Sequence, residues 1–256
     1  MAWQDANRAR SNAVANQVPA ERTLDEAFWE RFGAGPNPSM REKIVLVTID
    51  DVGRVGAATF NVKLVCQELE VSQSLINHHF GSRDELIAEA AIRWYELYVE
   101  ALWSAALDAK QTPEARLRAW LNENVEWSRK FNGMSALLDY PTASSDVTEM
   151  INRNHRGVLT EIAELNLARL VSLVVDMRAG EVGLYALQRG AVDRSMLMRD
   201  EHTTKVAGSI AWAILGMSVW TAGVHLPTTH VEGVEDQVAG LREFYLDHLI
   251  AFAKNG

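Results

Sequence analysis

Apolar residues recur along this chain mainly at helical spacing, three or four positions apart, with polar residues between them. After Asn61, for example, Val62, Val65, Cys66 and Leu69 fall on one side of a helix. No stretch shows sustained two-residue alternation bounded by hairpin turns, which is the pattern typical of half-exposed β-strands. The chain is therefore expected to be all-α.

Residues 61–80 predict two short helices joined by a tight turn. Asn61 is a good N-cap because its side chain can accept a hydrogen bond from a first-turn amide. The first helix is expected to stop near Glu70, and Ser72 can cap the second almost at once. The turn is then about three or four residues long, which is the connection length of a helix-turn-helix. In such a motif the second helix can lie in the major groove of DNA.

Caps and breakers set the other helix boundaries. Capping boxes pair Thr23 with Glu26, Ser39 with Glu42 and Ser82 with Glu85. The helix after Ser82 is expected to run to about residue 108, and Pro113 stands at the first position of the next helix. A long helix is predicted from residue 145 to Gly180, and two more are predicted between residues 200 and 254.

Residues 41–86 resemble the DNA-binding domain of the tetracycline-repressor (TetR) family of bacterial transcription regulators. The resemblance rests on residues 41–44, Gly56, residues 71–72 and residues 79–86. It implies a three-helix head, a larger helical domain that binds a small effector, and a homodimer on a palindromic operator. It also implies which residues contact DNA. Base edges would be faced by Gln73, Ser74, Asn77 and His78, and phosphates by Asn61, Lys63, His79 and Arg83.

Three positions depart from the family's pattern. Glu70 replaces the glycine of the turn, where a left-handed backbone would cost about 1–2 kcal/mol. Ser74 and Asn77 replace the glycine and the tyrosine that are usual in the recognition helix. Asparagine is shorter than tyrosine, but its amide can still bind a phosphate or an adenine edge.

The charge balance argues against indiscriminate nucleic-acid binding. The formal net charge of the chain is −9. Residues 41–93 contain six Lys and Arg against eight Asp and Glu, so even the predicted reading head has a charge near −2. We therefore expect a modest DNA affinity that depends strongly on salt.

Three segments are predicted: an N-terminal extension (1–38), a helix-turn-helix domain (39–86) and an effector-binding and dimerisation domain (87–256). The extension contains one short helix with Phe28 and Trp29. Because these two large aromatic side chains would be costly to leave in water, we expect the helix to dock on the folded body or on the partner subunit.

Aromatic and polarisable side chains crowd onto the helices that follow Pro113. The resemblance implies that these helices enclose the effector pocket, and the candidate lining residues are Trp120, Trp127, Phe131, Met134, Tyr140, Met150 and His155. Membership of an ordinary helical core is the alternative for each of them. Such a lining would suit a mostly apolar small molecule with few polar groups.

The last two predicted helices look like the family's dimer interface. Small residues mark the first and an apolar stripe marks the second: Ala207, Gly208, Ala211, Gly216 and Ala222, then Val234, Val238, Leu241, Tyr245 and Phe252. Two such helices from each subunit would form a four-helix bundle with two-fold symmetry. A monomeric core is the alternative.

Other chemistries find little support in the sequence. Cys66 is the only cysteine, so no internal disulfide can form, which fits a reducing cytoplasm. The seven histidines lack zinc-hydrolase spacing, and nucleotide-binding glycine motifs and a nucleophile elbow are missing. Residues 206–231 carry no Lys, Arg, Asp or Glu, but their Ser, Thr, His and Pro make a membrane span unconvincing. We expect neither an enzyme nor a metal, cofactor or membrane protein.

The sequence thus favours a ligand-responsive DNA-binding regulator, most simply a repressor that a small apolar or aromatic effector releases from its operator. The alternative from another class is a helical protein that binds a small molecule or a partner and has lost operator binding. Glu70, Asn77 and the acidic head motivate that alternative.

Overall fold

A computed structural model of the chain describes residues 22–139, 145–183, 200–221 and 234–256, and every regular element in these ranges is helical. The all-α prediction is confirmed. The helices are α1 (Glu26–Glu30), α2 (Met40–Val55), α3 (Val62–Glu68), α4 (Gln73–Phe80), α5 (Arg83–Asp108), α6 (Pro113–Lys130), α7 (Asn132–Asp139), α8 (Ser145–Met150), α9 (Arg156–Ala179), α10 (Glu201–Thr221) and α11 (Val234–Asn255).

The first turns of α2, α5 and α6 form where their caps predict. The hydroxyl of Ser39 accepts from the amide of Glu42 at 3.3 Å, and the hydroxyl of Ser82 accepts from the amide of Glu85 at 3.1 Å. Thr112 caps α6 ahead of Pro113. These contacts satisfy amides that have no partner inside the helix. The boundaries of α2, α5 and α6 were therefore predictable from sequence.

Helix α5 joins a small head, made by α2, α3 and α4, to a larger helical body. Its first turns bury Leu86 and Ile87 against the head, and its later turns bury Val99 and Leu102 in the body. It is one unbroken helix of 26 residues. The predicted domain boundary at residue 86 therefore falls inside a helix that belongs to both parts.

The N-terminal extension docks on the folded body, as predicted from its aromatic residues. Phe28, Trp29 and Phe32 are all buried, and the ring of Phe32 lies 5.8 Å from the ring of Phe131 at the end of α6. The predicted cap of α1 was wrong. Asp25, and not Thr23, accepts from the amide of Phe28 at 3.0 Å, so α1 begins two residues later and is only five residues long.

Phe131 also lies against α2 of the head. A Cβ atom placed on Gly53 of α2 would lie 3.2 Å from a ring carbon of Phe131 and 3.4 Å from its Cα. Only a residue without a side chain lets the backbones come this near without displacing the ring. Head, body and extension thus meet at one aromatic residue.

A cluster of ion pairs fixes the start of the described chain to the head. The Arg22 guanidinium contacts the carboxylates of Asp50 and Glu68 and lies 3.1 Å from that of Asp51. Burial raises the pKa of Asp51, although Arg22 opposes the shift. Burial also disfavours the charged Arg22, but the neighbouring carboxylates raise its pKa above the ordinary value. Arg31 adds a second contact to Asp50 at 2.9 Å.

The helix predicted from residue 145 to Gly180 is interrupted. Helix α8 ends at Met150, one π-helical turn covers Ile151–His155, and α9 follows. Within this turn Nε2 of His155 lies 2.8 Å from a carboxylate oxygen of Glu85, at the head end of α5. Periodicity alone could not reveal the wider turn because the apolar spacing is nearly the same on both sides of it. Gly180 ends α9, as predicted, and its backbone is left-handed.

Some predictions concern residues beyond the described part of the chain. Tyr140 and Ala222 lie outside it, as do the side chains of Val234 and Val238.

Candidate DNA-binding face and effector cavity

Helices α3 and α4 form a helix-turn-helix whose turn is a Schellman motif. The amide of Val71 donates to the carbonyl of Cys66 at 2.9 Å, and the amide of Glu70 donates to that of Gln67 at 3.4 Å. This pattern requires a left-handed residue after the helix, a position usually taken by glycine. Glu70 holds it with a φ of 54°, and it is the only described non-glycine residue with a positive φ. The strained backbone predicted at Glu70 is confirmed.

Helix α4 is anchored by its apolar face and presents its polar face outward. Ile76 and Phe80 are buried in the head. Ser72 caps the helix by accepting from the amide of Leu75 at 3.2 Å, and Gly81 ends it with a φ of 76°. An eight-residue helix is about 12 Å long, close to the width of the major groove.

The four residues predicted to face base edges share the outward side of α4. Gln73, Ser74, Asn77 and His78 are all exposed. Helix α4 contains no acidic residue. The hydroxyl of Ser74 lies 2.8 Å from that of Ser72, the N-cap residue of α4. Such a row of amide, hydroxyl and imidazole groups can donate to and accept from base edges.

The four residues predicted to hold phosphates have different surroundings. Lys63 is exposed beside the motif, and His79 is half-buried. Asn61 uses its side-chain oxygen to cap α3, accepting from the amide of Lys63 at 3.0 Å. Arg83 donates to the carbonyls of Phe60 and Ala57 and pairs with Asp84 at 2.7 Å. Arg83 thus braces the loop between α2 and α3, and its contact with phosphate stays a prediction.

Most acidic groups of the head are paired away from α4. Asp50, Asp51 and Glu68 surround Arg22, and Glu89 pairs with Arg41. The net charge counted along the sequence therefore does not describe the recognition face, where Glu70 is the nearest carboxylate along the chain.

A partly enclosed cavity of about 160 Å³ lies in the body between α5, α6, α9 and α10. Uncharged side chains line it: Trp94, Tyr95, Tyr98, Trp120, Asn124, Ser128, Asn166, Ala211 and Leu215. The rings of Trp94 and Tyr98 stack at 5.2 Å, and the Asn124 amide donates to the Tyr98 hydroxyl at 2.6 Å. Aromatic walls with a few polar groups are typical of small-molecule sites.

Of the residues predicted to bind an effector, Trp120 lines this cavity. Trp127 and Phe131 pack on each other at 4.9 Å, and Met134 is buried. Met150 is half-buried against the core, and His155 pairs with Glu85. Among the described candidates, only Trp120 therefore lines the cavity. The others lie in the core or at the junction between head and body.

Several residues that line the cavity were not predicted from the sequence. Trp94 and Tyr98 stand at helical spacing on α5, and an aromatic residue in such a pattern usually indicates core. Asn124 and Ser128 did carry a signal. They continue the inward stripe of Leu117 and Leu121 on α6, and a polar residue on an apolar face needs a partner inside the protein.

An apolar stripe stays exposed on the last two helices. On α11 it comprises Leu241, Phe244, Tyr245 and Phe252, and on α10 Trp212 is 79% exposed. The small residues predicted for the dimer interface do not share one surface. Ala207 is buried within the chain, Ala211 lines the cavity, and Gly216 is exposed. Large exposed apolar side chains grouped on two neighbouring helices are typical of a protein–protein interface.

Within the described ranges, no group of three or more His, Cys, Asp or Glu could hold a metal ion. In the same ranges no helix is long and apolar enough to cross a membrane.

No family model matches the chain. Three relatives are each named HTH-type transcriptional regulator BetI. The protein from Stenotrophomonas maltophilia is 27% identical over 202 residues, covering 74% of this chain and 98% of that protein. That from Paraburkholderia phymatum is 28% identical over 180 residues, covering 65% and 84%. That from Pseudomonas aeruginosa is 26% identical over 196 residues, covering 71% and 93%.

The chain is similar to helix-turn-helix transcriptional regulators. The alignments extend over nearly the full length of two of these relatives, so they include the body as well as the head. They support a DNA-binding transcriptional regulator. A solved structure from Pseudomonas aeruginosa, provisionally described as a transcriptional regulator, is 19% identical to this chain. The match covers 82% of this chain and 90% of that one, with a TM-score of 0.44.

Proposed function

We propose that the protein is a regulator of the TetR type, which binds a palindromic operator as a homodimer and is released by a small effector. The observation that carries this proposal is the capped, outward-facing α4, whose exposed side holds Gln73, Ser74, Asn77 and His78 and no carboxylate. The similarity to named transcriptional regulators supports it independently.

The apolar patch of α10 and α11 supports the homodimer. Trp212 and Phe244, which is 61% exposed, would be costly to leave in water in a free monomer. A two-fold axis through this patch would pair two heads, and two recognition helices related in this way could read half-sites about one helical turn apart.

The cavity beside α5 supports an effector response. Trp94 and Tyr98 belong to the same helix that carries the head, so a ligand between α5 and α6 can favour one position of α5 over another. Release from the operator follows if the ligand-bound position holds the heads at the wrong separation. Coupling of this kind is typically worth about 1–3 kcal/mol.

A gel-shift titration tests the proposal. The probe is the DNA upstream of the protein's own gene, compared with random DNA of equal length at about 50 and 200 mM salt. We expect tighter binding to the upstream DNA at both concentrations and a marked loss of affinity at the higher one. If neither DNA is bound at low salt, the protein is a small-molecule or partner-binding protein that has lost operator binding.

A further inference from the structure

A histidine stands in the middle of the apolar stripe on α11. The stripe comprises Leu241, Phe244, Tyr245 and Phe252. At about 100° per residue these four side chains occupy an arc of about 100° around the helix, and His248 falls within about 10° of its centre. His248 is exposed, and its ring centroid lies 4.1 Å from that of Phe244. Whatever covers the stripe must therefore also cover this imidazole.

One hydrogen bond determines which nitrogen of the imidazole carries its hydrogen. The Nδ1 atom of His248 lies 2.7 Å from the carbonyl oxygen of Phe244, and because a carbonyl can only accept, Nδ1 is the donor. In the neutral ring Nε2 is then an acceptor. Protonation places a second N–H at Nε2 and a full positive charge on the stripe.

The acidic residues next to His248 on α11 are engaged by α6. Asp247 and Glu243 both contact the guanidinium of Arg118, the latter at 3.4 Å. These ion pairs hold α11 to α6. Because the two carboxylates already neutralise Arg118, they are poor counter-ions for an imidazolium at His248.

Helix α10 lies antiparallel beside α11. The hydroxyl of Tyr245 is 3.4 Å from the carbonyl oxygen of Ala213, and Nε2 of His202 is 2.7 Å from the carbonyl oxygen of Gly256. The positions that meet thus fall along α10 as they rise along α11. This register places α10 residues 209–212 at about the level of His248.

The neighbouring helices bring no described carboxylate to that level. Residues 209–212 are uncharged, and the charged residue that precedes them is Lys205, which pairs with Glu201 at 2.7 Å. Helix α9 contributes Arg178, a cation that donates to a carbonyl just beyond the end of α11. Among the described residues, an imidazolium at His248 therefore finds no counter-ion on the patch.

We propose that acid dissociates the homodimer, because association buries His248 of each subunit in an apolar contact that accepts only the neutral imidazole. This inference rests on the proposed dimer interface of α10 and α11 and adds its regulation. A second copy suits the neutral ring, since the exposed Trp212 of the same patch offers an indole N–H to the Nε2 lone pair. The protonated ring instead presents a donor to a donor and brings an unpaired charge into the interface.

The direction of the pH effect follows from counting protons. Free subunits take up a proton at His248 that the dimer excludes, so association weakens as the pH falls and reaches its full strength at alkaline pH. Each dimer that forms releases two protons, one from each subunit. The dissociation constant therefore rises by up to about a hundredfold per pH unit once the histidines are protonated in the free subunits.

Sedimentation equilibrium of the full chain without DNA tests the proposal between pH 8.0 and pH 6.0, above the isoelectric point of about 5.3. We expect the dissociation constant of the dimer to rise about tenfold or more over this range, in which histidines gain protons. Circular dichroism at each pH distinguishes dissociation from unfolding. An unchanged dissociation constant overturns the proposal and leaves the dimer standing, whereas a monomer at pH 8.0 refutes the proposed dimer and this inference with it.

Two matched substitutions assign the effect to one histidine. His248→Gln keeps a neutral polar side chain that does not titrate, so its dissociation constant should stay the same from pH 8.0 to pH 6.0. His202→Gln removes an exposed histidine of α10 that lies outside the stripe, and it should keep the pH dependence of the wild type. A pH dependence that survives in His248→Gln would belong to another group and would overturn the proposal.

Discussion

Replacing Glu70 with glycine is expected to stabilise the protein, although it shortens an exposed side chain and touches no core residue. Glu70 occupies the left-handed position of the Schellman motif between α3 and α4, with a φ of 54°. Its amide and that of Val71 make the two hydrogen bonds of the motif through the backbone. Glycine can make both bonds without the steric conflict at Cβ.

The size of the effect follows from two opposing terms. A left-handed conformation costs a non-glycine residue about 1–2 kcal/mol. Glycine loses more backbone freedom on folding, which offsets about 0.4–1 kcal/mol of that gain. The free energy of unfolding should therefore rise by about 0.5–1 kcal/mol, and for a chain of this length the melting temperature should rise by roughly 1–4 °C.

Thermal melts of four proteins separate strain from charge. Glu70→Gly removes both the Cβ atom and the carboxylate, and Glu70→Gln removes only the charge. Glu70→Asn removes the charge and introduces a side chain that tolerates the left-handed region. We expect the order of melting temperatures to be Gly above Asn, with Gln close to the wild type.

If Glu70→Gln gained as much stability as Glu70→Gly, the gain would come from the charge and not from relief of strain. A melting temperature of Glu70→Gly below that of the wild type would also refute strain at this position. A gel shift on the same variants gives a second readout. Loss of the carboxylate near the recognition helix should tighten DNA binding in all three variants, whatever their stability.

Three further predictions concern the ion-pair cluster, the apolar patch and the reading face. Arg22→Met should lower the free energy of unfolding by about 2–3 kcal/mol, less than for a fully buried pair, because Asp51 loses a charged partner. Burial raises the pKa of Asp51 in the folded state, so the folded form binds more protons than the unfolded one as the pH falls towards the carboxyl's usual range. The deficit of the variant, measured by urea melts, should therefore shrink at acid pH, and a deficit that does not change with pH would exclude Asp51 as its cause. Trp212→Glu should give a folded monomer in sedimentation experiments and abolish specific operator binding, and it would remain a dimer if the exposed patch were not the interface. Asn77→Ala should reduce the preference for operator over random DNA by about 1–3 kcal/mol if Asn77 makes a bidentate base contact. Lys63→Ala should instead weaken both complexes equally and lower the salt slope by roughly one unit, and an equal loss in both variants would mean that neither residue reads sequence.

Local signals carried much of the fold prediction because caps act over three or four residues. Asn61, Ser72 and Ser82 cap the helices that they were expected to cap. Thr23 failed because Asp25 is an equally good cap two residues later, and tertiary packing of Phe28 decides which one is used.

Contacts between helices could not be read from the same signals. Trp94 and Trp120 line one cavity only because α5 lies against α6, and helical periodicity says which face is apolar but not which neighbour covers it. Arg83 shows the same limit. Its position suited a phosphate contact, whereas its carbonyl partners, Ala57 and Phe60, lie more than 20 residues earlier in the chain.

The unbroken length of α5 makes it a lever. Its 26 residues span about 39 Å, from the body to the head. If its far end is held, a tilt of about 5° moves the head end by roughly 3.4 Å, which is the rise of one base pair. At Trp94, a little over half-way from the held end, the same tilt is a shift of about 2 Å. A ligand in the cavity thus needs to shift Trp94 only slightly to displace each head by the rise of one base pair.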